Sequence, residues 1–323
     1  MSTERGGALL AVLWLLMGLS AIVFTVATSV RGETERTATG LEDVRSYYLA
    51  AGALERAILY MQWGPQHTNP DGSPRYYAPG MPRLFYRFPN GVAEVEIVPE
   101  AAKLNVNTAS VEDLTRLLLA LGVAPDRAQV IAAGIIDLRS PQPAGPSPFD
   151  LFYLAQAPSF QARHASFEES EELLLIRGMT PDIYYGTYTR DANGKLVPLG
   201  ALRDCVTVWG SGPGMDVNSA HPAALAAVGV PPQTIAAIVA RRRVAPFRAD
   251  EMPAIVQAAG PAGSRLRLGG NTIFTLRATA QLRLQDGKLS DLRRSAGLMV
   301  KFMPSGYDKS IHIMRWYDNA WKN

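Results

Sequence analysis

The chain has 323 residues, of which 47% are hydrophobic and 19% are charged, and its formal net charge is +3. This composition excludes an intrinsically disordered chain, and the length allows one large or two ordinary domains. The single cysteine, Cys205, excludes an intrachain disulfide, a cysteine-pair zinc site and a two-cysteine redox motif. We expect it to be a buried, small apolar residue.

The first thirty residues predict a membrane segment. A short charged leader precedes an uncharged run from Ala8 to Val30, which ends at Arg31. At about 1.5 Å per residue, a helix of this length reaches roughly 34 Å, enough to cross the hydrocarbon core of a bilayer. The only arginine of the leader is Arg5, so the positive-inside rule places the leader in the cytoplasm and the rest of the chain outside. A plain anchor and an uncleaved signal sequence remain alternatives for this segment.

The helical pattern continues beyond the membrane segment. Apolar residues recur at steps of three and four, at Leu41, Val44, Tyr48, Ala51, Leu54, Ala57, Ile58 and Met61. Gly64 and Pro65 end the pattern, and residues 66–82 are rich in loop-forming residues. The pattern predicts one very long N-terminal helix, with Gly40 as a soft point where the helix could bend.

Alternating residues predict an antiparallel sheet whose strands are far apart in the sequence. Within Gly91–Val98, apolar residues alternate with polar ones. Further strand candidates lie near the C-terminus, at Thr272–Leu284, at Lys288–Phe302 after the turn signal Asp286–Gly287, and at Ile311–Trp316. The sheet is therefore expected to open before residue 100 and to close after residue 270, with a long segment inserted between.

That inserted segment contains an internal repeat. Leu104–Ala109 (LNVNTA) is matched by Met215–Ala220 (MDVNSA), and each copy leads into a helix, a Gly-Val turn and a second helix. Thr108 and Ser219 are the predicted caps of the helices that follow. The repeat predicts a helical domain built from two helical hairpins, with a further short helix over residues 169–176.

The hairpins resemble helix-hairpin-helix motifs, many of which bind DNA through backbone amides of a turn with two glycines. Here the second glycine is replaced by Ala124 in one copy and by Pro231 in the other, and proline has no N–H to donate. Arg241–Arg243 is either a phosphate contact or a solvated helix end. We therefore expect no nucleic acid partner. The histidines show no spacing typical of a catalytic triad or a zinc motif, so we expect a protein that is not an enzyme.

Carboxylates near a long proline-rich loop, residues 139–166, are the candidate metal ligands. The candidates are Asp137, Asp150, Glu168 and Glu169, whose oxygens are of the type that binds calcium. The alternative is that the glutamates form an exposed first helical turn, where acidic residues are favourable. The middle of the loop carries no carboxylate, and no other cofactor is indicated.

Four segments, in this order along the chain, resemble the type II secretion system protein K family of minor pseudopilins. They are Arg5–Leu10 (RGGALL), Ala102–Asn107 (AKLNVN), Glu171–Pro181 (EELLLIRGMTP) and the second turn, Asn218–Ala220. The motif residues with an expected structural role are Asn105, Asn107, Thr108, Arg177, Gly178, Thr180, Pro181, Asn218 and Ser219. The resemblance implies an α+β fold, in which a pilin-like long N-terminal helix and antiparallel sheet carry a large inserted helical domain of the SAM-like or helix-hairpin-helix-like type.

The resemblance also implies how the chain is divided and processed. The implied parts are a leader (1–6), a long helix (7–64, transmembrane over about 8–30), a pilin-like domain (65–103 and 265–323) and an inserted domain (104–264). Prepilin peptidase is expected to recognise Arg5, Gly6 and Gly7 and to cut after Gly6; a cut after Gly7 stays open. Most pilin-like proteins have a glutamate five residues into the mature helix. Ala11 stands there in this chain, which favours a place at the tip of the filament.

The implied function is that of a minor pseudopilin that initiates a pseudopilus and promotes protein export across the outer membrane. The implied partners are other minor pseudopilins, the major pseudopilin, the prepilin peptidase and inner-membrane lipid, with the soluble domain in the periplasm. Family members associate calcium with acidic residues after the position of Asp137, where this loop is poor in acids. The alternatives are a type IV pilus minor pilin and a membrane-anchored periplasmic DNA-binding protein of the helix-hairpin-helix type.

Overall fold

The computed structural model describes residues 4–141, 145–190, 193–210, 214–304 and 306–319. The helices are α1 (Glu4–Trp63), α2 (Val111–Ala120), α3 (Pro125–Arg139), α4 (Pro148–Leu154), α5 (Pro181–Tyr185), α6 (Leu202–Cys205), α7 (Pro222–Ala227), α8 (Pro232–Arg242) and α9 (Met252–Ala259). The strands are β1 (Arg83–Phe88), β2 (Gly91–Pro99), β3 (Leu104–Asn105), β4 (Thr187–Arg190), β5 (Leu196–Leu199), β6 (Val206–Thr207), β7 (Met215–Asp216), β8 (Leu266–Arg267), β9 (Ile273–Leu282), β10 (Arg294–Phe302) and β11 (Ile311–Tyr317).

Helix α1 is a single 60-residue helix and passes through Gly40 without a break. Its apolar part has a mean hydropathy of 2.5 over 18 residues, and none of that window is buried against the rest of the described chain. The helix is therefore long and apolar enough to cross a membrane. The predicted long helix is confirmed, and Gly40 is not a soft point in the structure.

The second half of α1 packs on the five-stranded sheet. Its buried face consists of Leu49, Ala50, Ala53, Leu54, Ala57, Ile58 and Met61. The small alanine side chains let the helix backbone approach the sheet closely. At Gly91 there is no room for a side chain, since an added Cβ would lie 2.6 Å from Cδ2 of Leu49 and would collide with the carbonyl oxygen of Gln281. This contact fixes α1 across β2 and β9.

The sheet is antiparallel, with the order β1-β2-β9-β10-β11. Strands β2 and β9 are neighbours, and Val95 pairs with Ala278 in their register. The inserted segment therefore leaves the sheet after β2 and returns at the adjacent strand. The four strands predicted from alternation are confirmed, whereas β1 was not predicted.

The inserted domain has its own hydrophobic core and is built on the predicted repeat. Helices α2 and α3 form one hairpin, α7 and α8 form the other, and α2 packs against α7. Each copy begins with a two-residue strand in a parallel pair, β3 with β6 and β7 with β8. The tight turns use the left-handed conformation of Gly122 (φ 83°) and Gly229 (φ 91°), which glycine adopts without a steric penalty.

The structure corrects three predictions in this domain. Thr108 and Ser219 do not cap the helices. Instead, Ser110 Oγ accepts a hydrogen bond from the amide of Asp113 (3.1 Å), and His221 Nδ1 accepts one from the main chain of α7. In each repeat the capping residue therefore lies two positions further along the chain than predicted. The short helix expected over residues 169–176 is a 3-10 helix, Ser170–Leu175.

Candidate functional site

The predicted processing residues lie at the start of α1. Arg5 and Gly6 belong to its first turns, where side-chain positions fall outside the part of the chain that the structure describes. Gly7 is exposed, and so is Ala11 one turn further along the helix. The residues to be recognised by a peptidase are thus followed by an exposed apolar helix, and the cut itself stays a prediction.

Asn107 and Asn218 have the same role in the two repeats. The side-chain amide of Asn107 accepts from the amide of Phe167 (2.8 Å) and donates to its carbonyl oxygen (2.9 Å). Asn218 makes the same pair of bonds with Phe247, at 2.7 and 3.2 Å. Each asparagine side chain therefore pairs with both the N–H and the C=O of one phenylalanine, as a neighbouring strand would, although that phenylalanine lies far along the chain. These motif residues hold each repeat closed.

The arginine near the end of the second helix also has the same role in both repeats. Arg242 donates to the carbonyl oxygens of Val217 (3.0 Å) and Ala220 (2.7 Å). Arg139 donates to the carbonyl oxygens of Val106 and Ala109 in the first copy. Burial lowers the pKa of both guanidinium groups, since the charge is partly removed from water.

The run Arg241–Arg243 is therefore not simply a solvated helix end. Arg242 is used inside the fold, and Arg241 forms an ion pair with Glu251 at 2.8 Å. Arg243 is exposed. Two of the three candidate phosphate contacts thus have partners within the protein, which weakens the DNA-binding hypothesis.

The remaining motif residues of the repeats build turns. Asn105 Oδ1 accepts from the amide of Asn107 (2.8 Å), and the amide of Thr108 donates to the carbonyl oxygen of Asn105 (3.2 Å). In the second copy Ser219 Oγ donates to the buried carboxylate of Asp216 at 2.8 Å. Each copy of the repeated sequence motif therefore forms a hydrogen-bonded turn at the start of its hairpin.

The segment from Arg177 to Pro181 attaches α5 to α3. Gly178 has a φ of 87°, and its carbonyl oxygen accepts from Arg127 at 2.7 Å. Thr180 Oγ1 accepts from the same guanidinium at 3.2 Å, and Pro181 begins α5. The guanidinium of Arg177 lies 5.0 Å from the centroid of an aromatic ring of α4. These contacts hold the segment against α3 and α4.

The structure separates the four candidate metal ligands. Asp137 and Asp150 come together, and the third group of their cluster is His164, which is not among the predicted ligands. Glu168 lies 3.4 Å from Arg163, and Glu169 forms a two-pronged ion pair with Arg315 of β11. The prediction that the glutamates share a site with the aspartates is therefore wrong.

His164 bridges two parts of the loop. Its Nδ1 lies 3.0 Å from the carbonyl oxygen of Asp137, and its Nε2 lies 2.9 Å from Oδ1 of Asp150. Burial opposes protonation of His164, but these two acceptors outweigh it and raise its pKa above the ordinary value. The histidine has a φ of 46°, a left-handed conformation that costs a residue with a Cβ some free energy.

Ser147 orients both carboxylates of this cluster. Its amide donates to Oδ2 of Asp150 at 2.8 Å, and its hydroxyl donates to Oδ2 of Asp137 at 3.1 Å. Calcium takes six to eight oxygen ligands. A nitrogen donor in the centre, with both glutamates elsewhere, does not fit that requirement. These residues therefore do not form the predicted calcium site.

Cys205 and His221 form a buried contact that the sequence did not reveal. The sulfur lies 3.3 Å from Nδ1 of His221, and that nitrogen accepts from the amide of Ala223 at 3.2 Å. Burial raises the pKa of the Cys205 thiol to about 12, and burial lowers the pKa of His221. The thiol is thus protonated near neutral pH, and a thiolate nucleophile is disfavoured.

Buried polar contacts join the inserted domain to the sheet. Glu100, directly after β2, is 3% exposed, and Lys103 Nζ lies 2.8 Å from its carboxylate. Thr275 of β9 donates to the same carboxylate at 2.6 Å, and the side chain of Thr207, in β6 of the inserted domain, also hydrogen-bonds to it. Together with the pair between Glu169 and Arg315, these contacts fix the inserted domain against the sheet.

Two comparisons place this architecture among known proteins. Residues 94–186 match the family model described as type II secretion system (T2SS), protein K. The chain is also similar to a chain from the crystal structure of the GspK-GspI-GspJ complex of the enterotoxigenic Escherichia coli type 2 secretion system. The two share 17% identity with a TM-score of 0.58, over 89% of this chain and 100% of that chain. At this identity the likeness shows the fold, and the predicted pilin-like α+β architecture is confirmed. No curated protein sequence matches the chain.

Proposed function

We propose that this chain, a member of the type II secretion system protein K family over residues 94–186, acts as a minor pseudopilin at the tip of a pseudopilus. It is anchored in the inner membrane by α1, with the sheet and the inserted domain in the periplasm. Together with other minor pseudopilins it initiates the filament, which the major pseudopilin extends, and so promotes protein export across the outer membrane.

The division of α1 carries this proposal. The first half is apolar and exposed, and the second half is buried on the sheet. An exposed apolar helix is stable in lipid or against other apolar helices, where van der Waals packing holds the assembly together. Prepilin peptidase is expected to cut after Gly6 and to leave this helix on the mature protein.

Two further features support the tip position. Ala11 stands where a shaft subunit needs a carboxylate to neutralise the terminal ammonium of the next subunit, since an unpaired charge in the membrane is costly. The inserted domain is fixed to the sheet by the contacts of Thr207 with Glu100 and of Glu169 with Arg315, and it adds bulk beside the sheet. Such bulk suits the end of a filament better than its interior.

The near alternative, a type IV pilus minor pilin, shares the helix and the processing. The two functions differ in the partners of the chain, which are type II secretion pseudopilins in one case and type IV pilus subunits in the other. The DNA-binding alternative predicts salt-dependent binding to duplex DNA, because phosphate contacts release counterions. The internal hydrogen bonds of Arg242 argue against it.

Co-expression with the candidate minor pseudopilins of a type II secretion system tests the proposal. We expect the detergent-solubilised chain to co-purify with two of them as one species in size-exclusion chromatography. The pilus minor pilins of the same cell serve as the matched control. Recovery of the chain only with the pilus subunits, or with no pilin-like subunit at all, would contradict the proposal.

A further inference from the structure

A cavity of about 370 Å³ lies where the end of α1 and the sheet meet the turn that opens the second repeat. One side of the cavity is apolar and includes Met61, Ile97, Phe274 and Phe302. The opposite side is polar and includes Asp216 and Asn271. A cavity of this size, with apolar walls and a few polar groups placed together, is typical of a site that binds a small molecule or a single side chain.

Asp216 brings a buried negative charge to the polar side of the cavity. The residue is 2% exposed. Its hydrogen-bond donors are the main-chain amides of Asn218 and Gly269, the hydroxyl of Ser219 and the side-chain amide of Asn271. All four donors are neutral, and burying a charge is costly unless an opposite charge is paired with it.

The first repeat shows that the turn does not need this charge. Asn105 stands there in the position of Asp216, and its Oδ1 accepts a hydrogen bond from the main-chain amide two residues further on, as Asp216 does. Arg242 attracts the carboxylate of Asp216, but its Nη1 donates to two main-chain carbonyl oxygens. Arg139 makes the same two contacts beside the neutral Asn105. The carboxylate is therefore explained neither by the turn nor by the arginine.

Asn271 adds a second acceptor beside the carboxylate. Its Nδ2 donates to Oδ2 of Asp216 at 3.2 Å, which fixes the orientation of the amide group. Its Oδ1 is buried and has no hydrogen-bond donor within the part of the chain that the structure describes. A buried acceptor without a donor costs free energy. A carboxylate and a free amide oxygen opposite an apolar wall match a positively charged N–H donor on an apolar stem.

We propose that this cavity binds a primary ammonium group carried on an apolar stem. The ammonium donates hydrogen bonds to the carboxylate of Asp216 and to Oδ1 of Asn271, and the stem lies against Met61, Ile97 and Phe274. A lysine side chain of a partner protein and a free aliphatic amine present this same chemistry. The bound cation connects the end of α1, the sheet and the second repeat, because all three contribute to the walls of the cavity.

Isothermal titration calorimetry of the full chain in a nonionic detergent tests the proposal, with n-butylammonium chloride as the probe and 1-butanol as its neutral counterpart. We expect the ammonium to bind at least about tenfold more tightly than the alcohol, because it alone forms a charged hydrogen bond. Asp216→Asn should lose at least about tenfold of the affinity for n-butylammonium without a lower Tm, since asparagine already serves this turn in the first repeat. The exposed Asp291→Asn is the matched control and should keep the affinity.

The proposal is overturned if n-butylammonium does not bind, if it binds no better than 1-butanol, or if Asp216→Asn binds it as well as the unmodified chain does. The comparison of amine and alcohol needs only the unmodified chain, so it stays decisive if the variant does not fold. Nα-acetyl-lysine amide separates the two sources of the ammonium group. Binding as tight as that of n-butylammonium supports a lysine side chain of a partner protein, and binding of n-butylammonium alone supports a free aliphatic amine.

Discussion

At the scale of single residues, the repeated motifs serve packing inside the fold. Arg139 and Arg242 each donate to two main-chain carbonyl oxygens of the turn that opens their repeat. Hydrogen bonds from a charged donor stabilise more than neutral ones, and a buried acceptor left without its donor is costly. The basic run near residue 242 therefore belongs to the structure of the hairpin.

Replacing Arg242 by methionine should lower the free energy of unfolding by about 2–4 kcal/mol, because two carbonyl oxygens lose a charged donor. Urea titration followed by tryptophan fluorescence measures the change. Arg243→Met is the matched control, since this neighbour is exposed and should change stability little. Equal losses in the two variants would show that the carbonyl contacts do not matter.

Asp113 should make the inserted domain sensitive to acid. The side chain is 4% exposed, and Arg265 donates to its two oxygens at 2.8 and 2.6 Å. Burial opposes ionisation of Asp113, but the bonds from Arg265 and Arg116 outweigh it and hold its pKa below the ordinary value. A pKa lower in the folded than in the unfolded state stabilises the fold above the unfolded pKa. That contribution disappears as the pH falls through the folded pKa.

We therefore expect Asp113→Asn to be less stable than the unmodified chain at pH 7 by about 1–3 kcal/mol. The difference should shrink below about pH 4, where the carboxylate of the unfolded state becomes protonated, and should vanish as the pH falls through the lower pKa of the folded state. Urea titrations at pH 7 and at acid pH measure it, and the exposed Asp291→Asn should show no such difference. A gap that stays constant with pH would contradict the ion-pair account.

Some residue roles could not be read from the sequence. The contact between His164 and Asp150 joins residues 14 positions apart across an irregular loop, where no helical or strand period relates them. Cys205, at the end of α6, and His221, just before α7, lie 16 positions apart and meet only in the folded chain. By contrast, the asparagine turns were predicted because the repeat displays them twice, although which residue caps each helix was missed.

At the scale of elements, the fit of α1 on the sheet depends on small residues. Gly91→Ala should lower the free energy of unfolding by about 1–3 kcal/mol, because its Cβ meets Leu49 and a strand carbonyl in a filled interface. Gly52→Ala is the control on the helix side, since nothing lies within 4 Å of an added Cβ there. It should be neutral or gain up to about 1 kcal/mol from helix propensity.

Thermal unfolding monitored by circular dichroism compares the two alanine variants. If Gly91→Ala were as stable as Gly52→Ala, the helix would not lie as closely on β2 as the structure shows. The comparison also tests the pairing of β2 with β9, because the added Cβ would have to displace the carbonyl oxygen of Gln281.

An element can be predicted from the sequence when its buried and exposed residues follow the period of a strand or a helix. Strand β9 was recognised because alternate residues are buried, and α1 because its apolar residues keep helical spacing. Strand β1 was missed although Leu84 and Tyr86 are buried, because its other face is Arg83, Phe85 and Arg87 at the edge of the sheet. Because Phe85 is apolar but exposed, the strand does not show the alternation of apolar and polar residues that predicts a half-buried strand.

At the scale of the whole molecule, the tip position can be tested through Ala11. If no subunit lies beyond this chain, Ala11→Glu places an unpaired carboxylate in the membrane, at a cost of about 2.5–3.5 kcal/mol. We expect less secreted protein and less co-purified partner with Ala11→Glu, and little change with Ala11→Leu. Unchanged or increased secretion with the glutamate would place the chain in the filament shaft.

The most direct test of the pseudopilin account is the intact mass of the membrane-extracted chain from cells with and without prepilin peptidase. We expect a chain that begins at Gly7, having lost residues 1–6, only where the peptidase is present. The same full-length mass in both strains would contradict it and would leave a plain membrane-anchored protein.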